Sequence, residues 1–178
     1  MAATGSTVLA AALRGMVGDA AYADYPWTAL FEPLGIKCAV WETDATGTFV
    51  GSSYAYMTAR DLARIGLLMQ REGRWGDRQL LPQAWVDFNC TPFASQAPTH
   101  ESPGGHWWLN RNADGSAGPW PDAPPDTFAA LGHWGQALYV MPSAGLVIVR
   151  YADDRDGSYD HNQLLKRVLN AVAGEQIP

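Results

Sequence analysis

The stretch from Phe128 to Val172 constrains the fold of this chain more than any other. Residues 128–141, Phe-Ala-Ala-Leu-Gly-His-Trp-Gly-Gln-Ala-Leu-Tyr-Val-Met, read as a strand or a bent strand pair. Pro142-Ser143-Ala144-Gly145 is a turn signal, and Leu146 to Tyr151 is a strongly β-branched run. Period-two patterning on both sides of such a turn predicts an antiparallel hairpin from about Phe128 to Tyr151. The pattern then changes to a 3.6-residue period. Leu164, Leu165, Val168, Leu169 and Val172 share one face of a helix over 160–172. A hairpin with an apolar face followed by a helix with an apolar stripe buries both by packing one on the other. The expected class is therefore α+β, an antiparallel sheet with packed helices.

The rest of the chain supplies more helices than strands. Residues 5–17 are expected to be helical, with Leu9, Leu13, Met16 and Val17 on one face and Thr4 or Ser6 as cap. A short helix is expected from Tyr25 to Phe31, closed by Pro33-Leu34-Gly35. Extended segments at 38–42 and 48–50 flank a turn at Asp44-Ala45-Thr46-Gly47. The clearest helix is 59–72. Thr58 is a good N-cap with Asp61 three residues on, and Leu62, Ile65, Leu68 and Met69 form its apolar face. Gly73 stands where a left-handed cap is wanted, and Pro82 opens another short helix to Phe88. Residues 91–127 hold seven of the twelve prolines and little periodicity. Tryptophans inside this segment argue for an ordered excursion with one strand, Trp107 to Asn110. With no repeat and no linker, residues 1–178 are expected to form a single domain.

Composition excludes several roles. Hydrophobic residues make up 47% and charged residues 17%, a globular balance, and a chain of 178 residues can bury a real core. The formal net charge is −6 with a pI near 5.0, which argues against nucleic acid as a partner, because phosphate binding needs a basic surface. No apolar run approaches the ~20 residues that span a bilayer, so no membrane partner is expected. The first residues lack the basic-then-apolar order of a signal peptide. Cys38 and Cys90 lie far apart and read as free thiols. Four of the eight tryptophans, Trp107, Trp108, Trp120 and Trp134, fall within 28 positions and suggest an aromatic-walled pocket.

Three stretches, in this order and spacing, resemble one family. The first is Leu30-Phe-Glu-Pro-Leu-Gly35 with Asp44-Ala-Thr-Gly-Thr48. The second is Ser52-Ser53-Tyr54, Thr58-Ala-Arg-Asp-Leu-Ala-Arg-Ile-Gly66, Gly73-Arg-Trp-Gly76 and Leu80-Leu81-Pro82. The third is Gly132-His-Trp-Gly-Gln136 with Tyr139-Val-Met-Pro142 and Leu146-Val-Ile-Val-Arg150. Together they resemble the C-terminal half of β-lactamase-like, penicillin-recognising serine hydrolases. The branch containing 6-aminohexanoate-oligomer hydrolases and related carboxylesterases is nearest in flavour. The resemblance implies acyl transfer to and from a serine in a Ser-x-x-Lys motif, with the lysine and a tyrosine handling the proton. It implies no cofactor. Two backbone N–H groups would stabilise the oxyanion. One belongs to the nucleophile; the other would be the N–H of His133, following Ala130-Leu131-Gly132. Ser52, Tyr54, His106, Trp107, Gly132 and Trp134 would line the substrate cleft, with Trp108 close by.

The departures matter as much. The residues three before Lys37 and Lys166 are Leu34 and Gln163, so the chain contains no Ser-x-x-Lys. The family's tyrosine motif would fall at Ala2-Ala3-Thr4-Gly5, with Ala2 in place of the tyrosine. The resemblance thus implies a partial domain that meets an ester or amide substrate only when completed by an N-terminal half. Stripping that half would leave an unpaired strand edge or apolar patch and a tendency to self-association. Other sites are poorer readings. Ser53 in Gly51-Ser-Ser-Tyr-Ala55 reads as a turn serine and not a nucleophile elbow. His100, Glu101 and His106 lack a metal-ligand spacing, and no metal is expected. The His133 ring reads as structural. Asp153-Asp-Arg-Asp-Gly157 lacks the glutamate that closes a calcium loop and reads as a solvated turn. Two functions remain: part of a serine hydrolase, or a non-catalytic binding module that retains the cleft wall.

Overall fold

A computed structural model describes residues 2–93 and 103–174. The chain divides into two compact units, residues 1–64 and 65–178, with the division inside one helix.

The first unit opens with helix α1, Ala2–Val17, and the single turn α2, Asp19–Tyr22. A π-helical turn, Trp27–Phe31, lies where the short second helix was expected. Strands β1, Val40–Trp41, and β2, Ala55–Tyr56, pair antiparallel with Trp41 opposite Ala55. The unit's core is aromatic. The Phe49 ring lies 5.1 Å from Tyr22, 5.9 Å from Trp27 and 5.2 Å from Trp41. Arg14 ties α1 to the Asp44 turn, donating to the Thr46 carbonyl (2.6 Å) and the Thr48 hydroxyl (3.2 Å). The apolar face expected on α1 is not buried. Leu9 is 59% and Met16 84% exposed. It is Ser6 that is covered, because Gly51 sits so close to the Ser6 carbonyl that a Cβ there would approach it to 2.4 Å.

Helix α3, Ala59–Gln70, begins as its sequence directs. The Asp61 N–H donates to the Thr58 hydroxyl (3.1 Å), that hydroxyl donates to the Asp61 carboxylate (2.8 Å), and Arg64 closes an ion pair with Asp61. Gly73, φ +83°, follows the helix, and its N–H bonds back to the Leu68 carbonyl. The second unit continues with a two-residue ladder, β3 Arg74–Trp75 against β4 Arg78–Gln79, and helix α4, Gln83–Asn89.

The sheet of this unit has the order β5-β6-β7-β8 and is antiparallel throughout. Its strands are Trp108–Leu109, Phe128–Leu131, Ala137–Met141 and Leu146–Arg150, and α5, His161–Val172, follows. The segment 128–151 is thus two successive hairpins, the first bent over His133–Gly135. Alternation sends Ala129, Ala137, Tyr139 and Met141 to one face, where Leu165 of α5 joins them. Phe128, Leu109 and Val140 face the other way, with Met69 of α3 and Val86 of α4. The sheet is therefore covered on both faces, and the helix 160–172 packs on the hairpin as expected. The Asp160 carboxylate caps α5 by accepting from the Gln163 N–H (3.0 Å).

The described part of the proline-rich excursion from Pro103 to Thr127 is organised around one buried side chain. The two N–H groups of the Asn110 amide are shared among the carbonyls of Trp120 (2.8 Å), Ala123 (3.2 Å) and Pro124 (3.0 Å), and its side-chain oxygen accepts from the Trp120 N–H (2.8 Å). A single amide thus satisfies four backbone groups of a segment that has no ladder of its own.

Candidate active site

β6 reaches its end at Leu131, and the chain must reverse to enter β7. Gly132 stays extended at φ −114°, Trp134 turns left-handed at φ 54°, ψ 43°, and Gly135 follows at φ 77°. The Gly132 N–H donates to the Gln136 carbonyl (2.8 Å), closing the bend at its neck. A Cβ on Gly132 would press on the Gln136 Cβ at 3.1 Å, so the bend itself already calls for a small residue there. His133 opens the short 3-10 turn, the position whose N–H has no acceptor within the turn. Its ring leans on Trp134, centroids 4.4 Å apart, in line with a structural part for the imidazole. Gly132, His133 and Trp134 are all exposed.

Two further loops carry the other candidates. In the second unit, Gly104 and Gly105 are buried against Asn89 at the end of α4. The Gly105 N–H bonds to the Asn89 carbonyl (3.0 Å), and a Cβ at either glycine would come within 2.5 Å of Asn89. This pins the Gly104–Trp107 turn and leaves His106 exposed at φ 66°. In the first unit, the Ser53 N–H donates to the Val50 carbonyl, as a turn serine would, and Ser52 is exposed. Tyr54 is exposed at φ 61°, its carbonyl accepting from the Glu42 N–H (3.1 Å).

Among the described residues, four other than glycine have positive φ: Tyr54, Glu72, His106 and Trp134. Three of the four are candidates chosen from the sequence. Left-handed backbone at tyrosine, histidine or tryptophan is held only where the surroundings impose it, and such residues gather at functional sites.

The tryptophans do not gather. Trp107 meets Phe128 edge-on at 5.0 Å on the α3–α4 side of the sheet, while Trp108 packs against the α5 side. Trp120 is buried beside Tyr139 at 5.9 Å. The aromatic pocket expected from their spacing is corrected to packing on the sheet for these three, with Trp108 of β5 and Trp107 just before it on opposite faces and Trp120 in the core. Trp134 alone of the four is exposed. The cysteines are free, Cys38 exposed and Cys90 half-buried, and burial together with Asp87 pushes the Cys90 thiol up to about 11. Cys90 lines a cavity of about 210 Å³ with Met69, Val86, Leu109 and Phe128, and none of the candidate residues contributes to it. His100 and Glu101 lie outside the described residues. The Asp153–Gly157 segment is irregular chain with a bend at Asp156 and Gly157, the Asp156 carboxylate accepting from the Ser158 N–H (3.0 Å).

The sequence reading missed what stands behind the bend. Arg150 donates to the Gly135 carbonyl, and the Asp154 N–H donates to the Trp134 carbonyl (3.0 Å). An arginine at the end of an otherwise apolar strand was the available signal.

A mixed helix and antiparallel-sheet fold with these loops is that of the β-lactamase-like serine hydrolases. The family model described as Beta-lactamase matches residues 2–173, and the chain belongs to that family. Among solved structures, a Bacillus anthracis protein assigned as a 6-aminohexanoate-dimer hydrolase is 23% identical, with a TM-score of 0.73. The match covers 96% of this chain and 43% of that one. A β-lactamase from Mycobacterium bovis is 22% identical, with a TM-score of 0.68 and coverages of 95% and 62%. This chain therefore spans about half the length of the structures it resembles. A search of curated proteins returns no match.

Proposed function

We propose that this chain is the C-terminal part of a serine hydrolase acting on ester or amide bonds, in which the His133 N–H serves as one of two oxyanion donors. The observation that carries this reading is the closed bend 132–136. It presents one backbone N–H at an exposed strand end, next to a strained tryptophan. His106, Gly132 and Trp134 of the second unit are the proposed cleft residues, with a small-molecule ester or amide as substrate.

In this reading the chain by itself does not carry out acyl transfer. A neutral serine hydroxyl is a weak nucleophile without a positioned base, and neither lysine follows a serine at the family spacing. One donor without a nucleophile cannot begin the reaction. The purified chain is expected to leave a p-nitrophenyl ester unhydrolysed and a serine-directed phosphonate unreacted. Adding the N-terminal segment of a relative, bearing Ser-x-x-Lys, is expected to give phosphonate labelling. Hydrolysis by the chain alone, blocked by the phosphonate, would sink this part of the reading. The missing Ser-x-x-Lys also favours a second reading, a binding module that keeps the cleft wall. That reading predicts retention of a small ester or amide by the chain alone, detectable by calorimetry.

A further inference from the structure

Resting on the proposal that the His133 N–H is an oxyanion donor, we infer that Arg150 is the positioning residue that holds this donor in place. Arg150 is the last residue of β8 and lies opposite Ala137, the first residue after the bend. From there its Nη1 donates to the Gly135 carbonyl at 2.5 Å. The same guanidinium lies 3.5 Å from the centre of the Tyr159 ring. Tyr159 is fixed in turn: its hydroxyl meets that of Tyr139 at 3.0 Å, and its N–H donates to the Asp154 carboxylate at 3.0 Å. The Asp154 N–H donates to the Trp134 carbonyl at 3.0 Å. Arg155 covers the Trp134 ring at 4.3 Å and is itself paired with Asp153 at 2.7 Å.

The segment 150–159 thus takes hold of the bend at two successive carbonyls and one ring. The Gln136 N–H takes the carbonyl of His133, so each peptide plane from His133 to Gly135 has an anchor. Such holding is what a left-handed tryptophan requires, since that conformation survives only where surrounding contacts outweigh its strain. Arginine suits the post for a chemical reason. Its planar guanidinium stacks on the Tyr159 ring and donates to a carbonyl in the same pose. The Arg150 contact is also specific in shape, because a Cβ on Gly135 would come within 2.5 Å of Nη1. A lysine could reach the carbonyl but has no flat face to stack.

The test is ¹⁵N NMR on the full 178-residue chain with Arg150→Met and Arg150→Lys. Arg150→Met keeps the apolar stem and removes the donor. Exchange of the Gly132, Gln136 and Asp154 amides is expected to rise about tenfold, as local opening without loss of the fold would give. The order parameters of His133 and Trp134 are expected to fall. Protection at Leu138–Val140 in β7 is expected to stay put, which serves as the internal control for folding. Arg150→Lys is expected to recover part of the effect. Unchanged amides at the bend, or an equal rise across β7, would overturn the inference. If Arg150→Met does not fold, the same comparison in Arg150→Lys decides it. Once a serine-bearing segment completes the site, Arg150→Met is expected to lower kcat with KM unchanged. A loosened bend with unchanged kcat would leave the hold of Arg150 standing and overturn the oxyanion reading instead.

Discussion

His161 is a half-buried titratable residue built into the region behind the bend. Its Nδ1 lies 2.5 Å from the hydroxyl of Tyr139, a wholly buried residue whose own ionisation is pushed up chiefly by burial. Burial first, and Arg150 second, hold the His161 pKa below its ordinary value near 6.5, against the smaller pull of Asp160 and Asp154. The sign follows from linkage. The folded state binds a proton less readily than the unfolded one, so the contribution of His161 is fully present above about pH 6.5 and is lost as the pH falls through the lower folded value. The melting temperature is therefore expected to drop between about pH 7 and pH 5. His161→Asn keeps a polar atom near Tyr139 and removes the titration, so its drop should be shallower than that of the unchanged chain. The other three histidines are common to both proteins. Equal slopes would rule His161 out as a source of the pH dependence.

Secondary-structure elements were legible in the sequence where one periodicity ran long enough. The strands of 128–151 and the helix of 160–172 follow their patterns because the helix has one apolar face to bury and the sheet offers it one of its two, the other being covered by α3 and α4. α3 follows its cap, Thr58 with Asp61. Helix α1 is the contrary case: its apolar stripe was readable, yet Leu9 and Met16 are exposed, because a stripe says what a helix could bury and not whether a neighbour exists. The candidate loops were legible only through family likeness, since positive φ at Tyr54, His106 and Trp134 has no local signature. The tryptophan pocket was misread although the signal was there: Trp107 and Trp108 are adjacent, and extended chain entering β5 sends them to opposite faces of the sheet. Gly66 shows how packing overrides propensity within α3. Alanine in a helix interior is favoured over glycine by about 1 kcal/mol. A Cβ at Gly66 would come 2.6 Å from Val147 and 2.8 Å from Leu138, however, and overpacking of that kind costs about 1–3 kcal/mol. Gly66→Ala is thus expected to destabilise the chain by about 1 kcal/mol in urea unfolding. A gain in stability would show that β7 and β8 yield at that contact.

For the molecule as a whole, the open edge of the sheet is the feature with the largest consequence. β5, one border of the sheet, is partly covered by a bridge from Pro103 to Trp108. β8, the other border, pairs with β7 over five residues and has no second neighbour among the described residues. Its sequence, Leu-Val-Ile-Val-Arg, places no charge before Arg150 and no proline to blunt the edge. Half of the backbone groups of such a strand point outward, and an apolar, β-branched edge is a template for another strand. The solved structures that this chain resembles are about twice its length or somewhat less, with 43% and 62% of their residues matched. We therefore propose that the isolated chain self-associates through β8. Sedimentation velocity is expected to show a concentration-dependent shift to larger species in the micromolar range, up to about 100 μM. Hydrogen exchange assigns the surface. Outward amides of Leu146–Arg150 are expected to gain protection as the concentration rises, while amides of α1 do not change. A single monomeric boundary at every concentration would reject self-association. Association without new protection at β8 would reject the edge and direct attention to the exposed Leu9 and Met16 of α1.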